Sequence, residues 1–269
     1  MQKDLNQDKN SCSSWIVRFL LKKQVKIIFG LQGGHIQPIW DFCYKLGIKI
    51  IDVRDEKAAV HMAQAYSYFT GKVGIAIVTA GPGVTNTVTG IANAFLSSAP
   101  ILLIGGCTPT IQAGKGPLQD ISHVEILKPI TNYSRTTRVA EELIREFDLA
   151  YSYSIGHFGN PGPSYIEIPT DILRKNVHEK LVLDEWLSEK KSYKIYPNPN
   201  DINLVLKALG LSRRPLIITG RGARSCEKEI NNFLNKTGIL YLDTQDSRGI
   251  VSLSHPSNVY AVRSKVISE

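Results

Sequence analysis

The sequence of 269 residues contains no long apolar run. Its longest candidate, residues 101–104, is strand-sized, far short of the roughly 18 apolar residues a membrane helix needs. The opening Met1-Gln2-Lys3-Asp4-Leu5 lacks the apolar segment of a secretory signal peptide. Cysteine is scarce. Cys12, Cys43, Cys107 and Cys226 are never paired at C-x-x-C spacing, which argues against a zinc site or thioredoxin-like motif and for reduced thiols. The formal net charge is +8, yet the basic residues are scattered, so a solvated surface is preferred to a nucleic-acid face. The dinucleotide fingerprint, the Walker A loop and the serine-hydrolase elbow are all missing. His123, His157, His178 and His255 are dispersed, without the spacing of metal ligands. A cytoplasmic chain with neither a membrane nor a nucleic-acid partner is the expectation.

What is present reads as alternating strand and helix. Residues 15–21 suit a helix, and 26–30 form a β-branched run ending on glycine, a buried strand. Pro38 suits the first turn of a helix running to about Leu46. Strands follow at 48–53, 73–78 and 100–106, with helices at 55–69, closed by Thr70-Gly71, and 84–97 between them. After a long loop at 107–118 come a helix at 141–155 and a strand at 164–168. This order predicts an α/β fold with a doubly wound parallel sheet. The expected divisions are a tail at 1–13, a first domain at 14–174 and a linker at 175–200 ending Pro197-Asn198-Pro199. A second α/β domain occupies 201–269, with a helix capped by Asp201, strands at 215–220 and 239–242, and a helix at 226–236. Two strands leave a sheet face open, so this second domain reads as incomplete and the chain as truncated.

Three strand exits carry candidate chemistry. Gly33, Gly34 and His35 follow the first strand, where glycines let backbone approach a ligand closely; a tight turn is the plainer reading. Thr79-Ala80-Gly81-Pro82-Gly83, followed by Val84-Thr85-Asn86, places a proline inside a glycine pair and shapes a rigid loop at the ligand edge of a parallel sheet. Arg54-Asp55-Glu56 opens a helix, where acidic residues are common because they complement the helix dipole. Gln119 and Asp120 close the long loop, and long ordered loops in α/β units are often functional.

The ordered set resembles one family. It runs from Ile28-Phe29-Gly30 with Gly33-Gly34, through Arg54-Asp55-Glu56-Lys57-Ala58-Ala59 and Val78-Thr79-Ala80-Gly81-Pro82-Gly83 with Thr85-Asn86. It continues through 100–106, Leu118-Gln119-Asp120 and Gly159-Asn160-Pro161-Gly162-Pro163 to Glu167-Ile168-Pro169 and Asp171. Residues 14–174 thereby resemble the pyrimidine-binding domain of thiamine-diphosphate enzymes of the acetolactate synthase type. Gly33-Gly34-His35-Ile36 and 85–89 are most similar to the branch that includes 2-hydroxyacyl-CoA lyases.

The resemblance implies that Glu56 is the activating glutamate, hydrogen-bonding a ring nitrogen of the cofactor's aminopyrimidine so that the thiazolium proton can be lost. It implies that Gly33, Gly34, Thr79, Ala80, Gly81, Pro82 and Asn86 line the cofactor side of the cleft, and that Gln119 stands near the reacting centre. It implies a 2-oxoacid substrate such as pyruvate, or a 2-hydroxyacyl-CoA. It assigns Mg2+ and the diphosphate to a carboxyl-terminal domain bearing Gly-Asp-Gly, a motif not found here. That makes the partner a second copy in a homo-oligomer or a chain carrying the diphosphate-binding domain. The chain alone is expected to be inactive; a non-catalytic interaction subunit is the competing reading. Residues 216–223, with Arg248-Gly249 and His255-Pro256, resemble the start of a middle domain that binds FAD in some members; FAD use is left open. Three positions depart from the pattern: Gln32 replaces a proline, Leu118 an aromatic residue and Asn132 a basic one.

Overall fold

The computed structural model describes residues 9–178 and 196–259. The chain divides into two compact units, Met1–Lys190 and Lys191–Glu269, described in turn.

The first unit is built on six parallel strands in the order β2-β1-β3-β4-β6-β5. These are β1 (Ile27–Gly30), β2 (Lys49–Asp52), β3 (Gly74–Val78), β4 (Ile101–Cys107), β5 (Tyr133–Thr136) and β6 (Pro163–Pro169). Side chains alternate across a strand, and both faces of this sheet are covered. Ile75, Ile77, Leu102, Ile104, Ile166 and Ile168 point to one face. That face is sealed by α1 (Cys12–Lys22), α2 (Gln37–Leu46) and α7 (Leu143–Ser154), through Trp15, Ile16, Ile39, Phe42 and Phe147. Ala76, Val78, Ile101, Leu103 and Tyr165 point to the other. There α3 (Glu56–Thr70) and α5 (Val88–Leu96) pack with Ala59, Val60, Ala63, Ile91 and Ala94. The small residues on α3 let it lie close to the sheet. The result is the doubly wound parallel sheet expected from the strand–helix alternation.

Several boundaries differ from expectation. Helix α1 begins at Cys12, capped by the Ser11 hydroxyl, and Cys12 is fully buried. The fold therefore starts inside the expected tail. Residues 175–177 also belong to this unit, because Cys12 N donates to Lys175 O and Val177 N to Asn10 O. The expected helix at 84–97 is two helices, α4 (Pro82–Thr85) and α5. The Thr87 hydroxyl donates back to Val84 O where they meet, a contact that bends helices. Strand β5 and the short helix α6 (His123–Leu127) are additions.

In the second unit, α9 (Pro199–Leu211) precedes β7 (Leu216–Thr219), and α10 (Glu227–Thr237) leads to β8 (Leu240–Asp243), parallel to β7. Helix α8 (Thr170–Leu173) follows β6 in the first unit. The cap of α9 is Asn198, whose side chain accepts from Asn200 N at 2.9 Å, with Pro199 in the first turn. Asp201 thus lies within the helix instead of capping it. The core here is small: Leu234, Tyr241, Ile250 and Val251. Much of the expected linker, 179–195, lies outside the described residues, as does 260–269.

Candidate active site

The carboxyl ends of β1, β2 and β3 converge on one carboxyl group. Glu56 is the first residue of α3 and only 7% exposed. Its neighbour Asp55 performs the capping, accepting from Lys57 N at 2.8 Å. The two acids of the Arg54-Asp55-Glu56 segment therefore divide the work: one satisfies the helix end, and the other turns inward. Glu56 Oε2 accepts from Asn86 Nδ2 at 2.9 Å. Oε1 faces Gly83, where an added Cβ would stand 3.5 Å away.

Glycine is required around this carboxyl group. A Cβ on Gly83 would meet Thr79 Cγ2 at 2.8 Å, and one on Gly33 would meet Thr79 Cβ at 2.4 Å. Thr79 is thus wedged between two glycine backbones, with its hydroxyl 3.4 Å from His35 Nδ1. Burial, and then the proximity of His123, lowers the pKa of His35 from its ordinary value. Gly81 adopts φ 62°, ψ −125°, a conformation open to glycine. It presses on Gln119, whose Cβ would lie 2.6 Å from a Cβ at position 81. Gln119 itself has φ 64°, uncommon for a residue with a side chain.

Two carboxylates hold the loop that carries Gln119. Asp120 accepts from Thr108 Oγ1 at 3.2 Å and Gly114 N at 2.9 Å. Asp171 accepts from Thr110 N at 3.0 Å and from the Thr110 hydroxyl.

Glu56, Asn86, Thr79, Gly33 and Gly81, all singled out in the sequence, are gathered here, with Gln119 against Gly81. Gly34 is exposed with nothing within 4 Å of an added Cβ. Ala80 is buried in the loop and Pro82 is exposed at the first turn of α4. Among the described residues no hydrogen bond joins these three to Glu56. Asn132 donates to Asn160 O at 2.9 Å, a tie between loops.

Behind the Gly81 loop lies a buried network that the sequence motifs do not mark. His123, 1% exposed, accepts from Gly81 N through Nε2 at 2.7 Å. Its Nδ1 lies 2.8 Å from Glu167 Oε2. Glu167 also accepts from Tyr165 OH and from Thr136 Oγ1, each at 2.7 Å. Burial and the adjacent Glu167 charge raise the Tyr165 pKa well above the usual phenol value, keeping it a donor. Burial likewise pushes the Cys107 thiol up, with Glu167 repulsion adding to it. The available signal was Glu167 itself, a charge in an otherwise apolar strand that demands partners.

A polar crevice of about 440 Å³ adjoins the network, lined among others by Thr108, Asp120, His123, Arg138 and Glu167. Glu56 is not among its lining residues. Among the described residues, no group of His, Cys, Asp and Glu side chains could hold a metal ion. No helix among them is long and apolar enough to cross a membrane.

Residues 10–126 match the family described as thiamine pyrophosphate enzyme, N-terminal TPP binding domain. The matched residues lie within the first unit. The chain is 44% identical over 158 residues to 2-hydroxyacyl-CoA lyase 2 of Danio rerio, covering 59% of this chain and 25% of that protein. It is 33% identical over 262 residues to the acetolactate synthase large subunit of Lactococcus lactis, covering 95% of this chain and 44% of that protein. The corresponding subunit of Haemophilus influenzae is 33% identical over 236 residues, 86% of this chain and 41% of that protein. The chain spans less than half the length of these relatives.

The residues present fit an aminopyrimidine. A shielded carboxyl group has one oxygen fixed by Asn86 and the other turned toward Gly83, against which the Thr79 side chain also packs.

Proposed function

We propose that this chain supplies the pyrimidine side of a thiamine-diphosphate site in an enzyme of the acetolactate synthase type, with Glu56 as the activating carboxyl group. The observation that carries this reading is the buried Glu56, tethered through Oε2 by Asn86 with Oε1 beside Gly83. Thiamine diphosphate, when bound, supplies the carbanion chemistry. The chain's own residues handle a proton. In this poorly solvated site the Glu56 carboxyl would hold a proton in a strong hydrogen bond to the cofactor's ring nitrogen. Asn86 holds that carboxyl group in one orientation, so little reorganisation is needed during proton transfer. Gly83 and Gly33 leave the room that the Thr79 side chain fills, and Gln119 is assigned to the substrate side.

In this reading Mg2+ and the diphosphate are held by another stretch of polypeptide, in a second copy of a longer chain or in a separate subunit. The site is then completed at a subunit interface, in a cytoplasmic protein. A 2-oxoacid such as pyruvate is the first substrate class. A 2-hydroxyacyl-CoA is the second, favoured by the 44% identity to a lyase over 158 residues.

The full chain, mixed with a family chain carrying the diphosphate-binding domain, thiamine diphosphate and Mg2+, should be given each substrate and its products identified. Acetolactate from pyruvate supports the first substrate, and cleavage of the 2-hydroxyacyl-CoA supports the second. Glu56→Gln should abolish either activity, and wild-type turnover by that variant would overturn the assignment.

A further inference from the structure

We propose that His123, oriented by Glu167, is a positioning residue that clamps the Gly81 amide and so fixes the Gly81–Gly83 loop between Glu56 and Gln119. This rests on the reading of Glu56 given above.

The hydrogen bonds determine the protonation of the ring. Nε2 accepts a backbone N–H from Gly81 at 2.7 Å, so Nε2 carries no proton. The ring proton is on Nδ1, where it is donated to Glu167 at 2.8 Å. The imidazole is neutral, and its contact with Glu167 is a charge-assisted hydrogen bond rather than an ion pair. A carboxylate on the far ring nitrogen sets which nitrogen is free to accept.

Glu167 is itself immobilised. Three donors reach it from three elements: His123 of α6, Tyr165 of β6 and Thr136 of β5. The clamp is therefore anchored in the sheet, and its free end lands on the loop. Gly81 is where that loop is sensitive, since its backbone abuts Gln119 and Gly83, two residues later, abuts Glu56 Oε1. No hydrogen bond joins His123 to Glu56 among the described residues, so His123 acts through the loop. Neither sequence spacing nor helix capping calls for this arrangement: His123 lies 42 residues from Gly81 and 44 from Glu167.

The test uses the 15N-labelled full chain as wild type, His123→Ala and His123→Gln, with thiamine as the aminopyrimidine probe. The glutamine amide can accept from Gly81 through its oxygen and donate to Glu167 through its nitrogen. In wild type a 15N–15N coupling across the hydrogen bond should link Gly81 N to His123 Nε2. Exchange of the Gly81 amide should quicken about tenfold in His123→Ala, corresponding to one lost hydrogen bond of roughly 1.4 kcal/mol. Core amides such as Ile104 should stay protected. Affinity for thiamine, read from shifts at Glu56, Asn86 and Gly83, should fall about tenfold, with both effects largely restored in His123→Gln.

Absence of the coupling in wild type overturns the proposal without recourse to any variant, including one that fails to fold. Unchanged thiamine affinity in a His123→Ala chain whose loop has loosened overturns it while leaving the Glu56 reading intact. If thiamine shifts none of these resonances in wild type even with a chain carrying the diphosphate-binding domain present, the Glu56 reading fails and the proposal with it, whatever the exchange rates.

Discussion

Replacing Gly81 with alanine puts the site loop under two loads that can be sized separately. The first is conformational. At φ 62°, ψ −125° a residue with a side chain occupies a sparsely populated region, at about 1–3 kcal/mol. The second is steric. The new Cβ would stand 2.6 Å from Gln119 Cβ and 3.0 Å from its Cα, whereas carbon atoms settle at roughly 3.5–4.0 Å. Rotating the Gln119 side chain does not relieve the backbone contact, so the loop pinned by Asp120 and Asp171 must shift. Such overpacking costs about 1–3 kcal/mol. Together the loads come to about 2–6 kcal/mol, which at a urea slope of roughly 2 kcal/mol/M lowers the unfolding midpoint by about 1–3 M. Urea titration followed by tryptophan fluorescence reads this, because Trp15 is buried in the first unit. Gly34→Ala is the control. Its Cβ meets nothing within 4 Å, so its midpoint should match wild type or rise slightly, through a less flexible unfolded chain. Equal midpoints for the two variants would refute the loop geometry.

Two further outcomes follow from the carboxylates. Glu56→Gln keeps an oxygen acceptor for Asn86 and loses a charge at a helix start, an effect of about 1 kcal/mol or less; calorimetry should find the melting temperature within about 4 °C of wild type. A larger drop would mean that Glu56 is retained for stability. For Asp171, burial raises the pKa, but the hydrogen bonds from the Thr110 hydroxyl and amide outweigh it, leaving the group below its ordinary 3.8. A depressed carboxyl pKa contributes stability that is fully present above 3.8 and lost as pH falls through the folded value. Protection of the Thr110 amide from exchange, corrected for intrinsic rate, should therefore be flat above about pH 5 and fall in stronger acid. Asp171→Asn should remove that acid dependence, and an unchanged profile would show that the latch lies elsewhere.

The fold was legible because its signals are local. Each strand of the first unit, β5 excepted, announced itself as a short β-branched or apolar run with a glycine or proline at an end. The small residues of α3 and the Gly71 cap likewise marked a helix. Strand β5 did not: Tyr133-Ser134-Arg135-Thr136 lies at the sheet edge, pairs among the described residues only with β6 and buries no residue fully, so it carries little apolar pattern to read. The cap at Asn198 was missed because Asp201, also a good capping residue, stands in the same turn.

The candidate site was legible where chemistry and spacing coincide, and illegible where it depends on distant loops meeting. Glu56 taken alone is an ordinary first-turn acid, and sequence could not distinguish it from Asp55 beside it. Burial separates them: Asp55 caps α3 from outside, while Glu56 is turned toward Asn86, 30 residues further on. His123 is the harder case. As one of six dispersed histidines it offered no motif, and its role arises only when β3, β5, β6 and α6 bring Gly81, Thr136, Glu167 and the ring together. A buried, fully bonded polar network of this kind is costly to leave half made. The apolar pattern around Glu167 was therefore the one trace of it in the sequence: a glutamate inside Tyr-Ile-Glu-Ile must meet donors in the folded chain. The Gly81–Gly83 segment is also held by its own turn bonds, Gly83 N donating to Ala80 O and Val84 N to Gly81 O. His123, anchored to the sheet through Glu167, adds to these a bond to the Gly81 amide from 42 residues away.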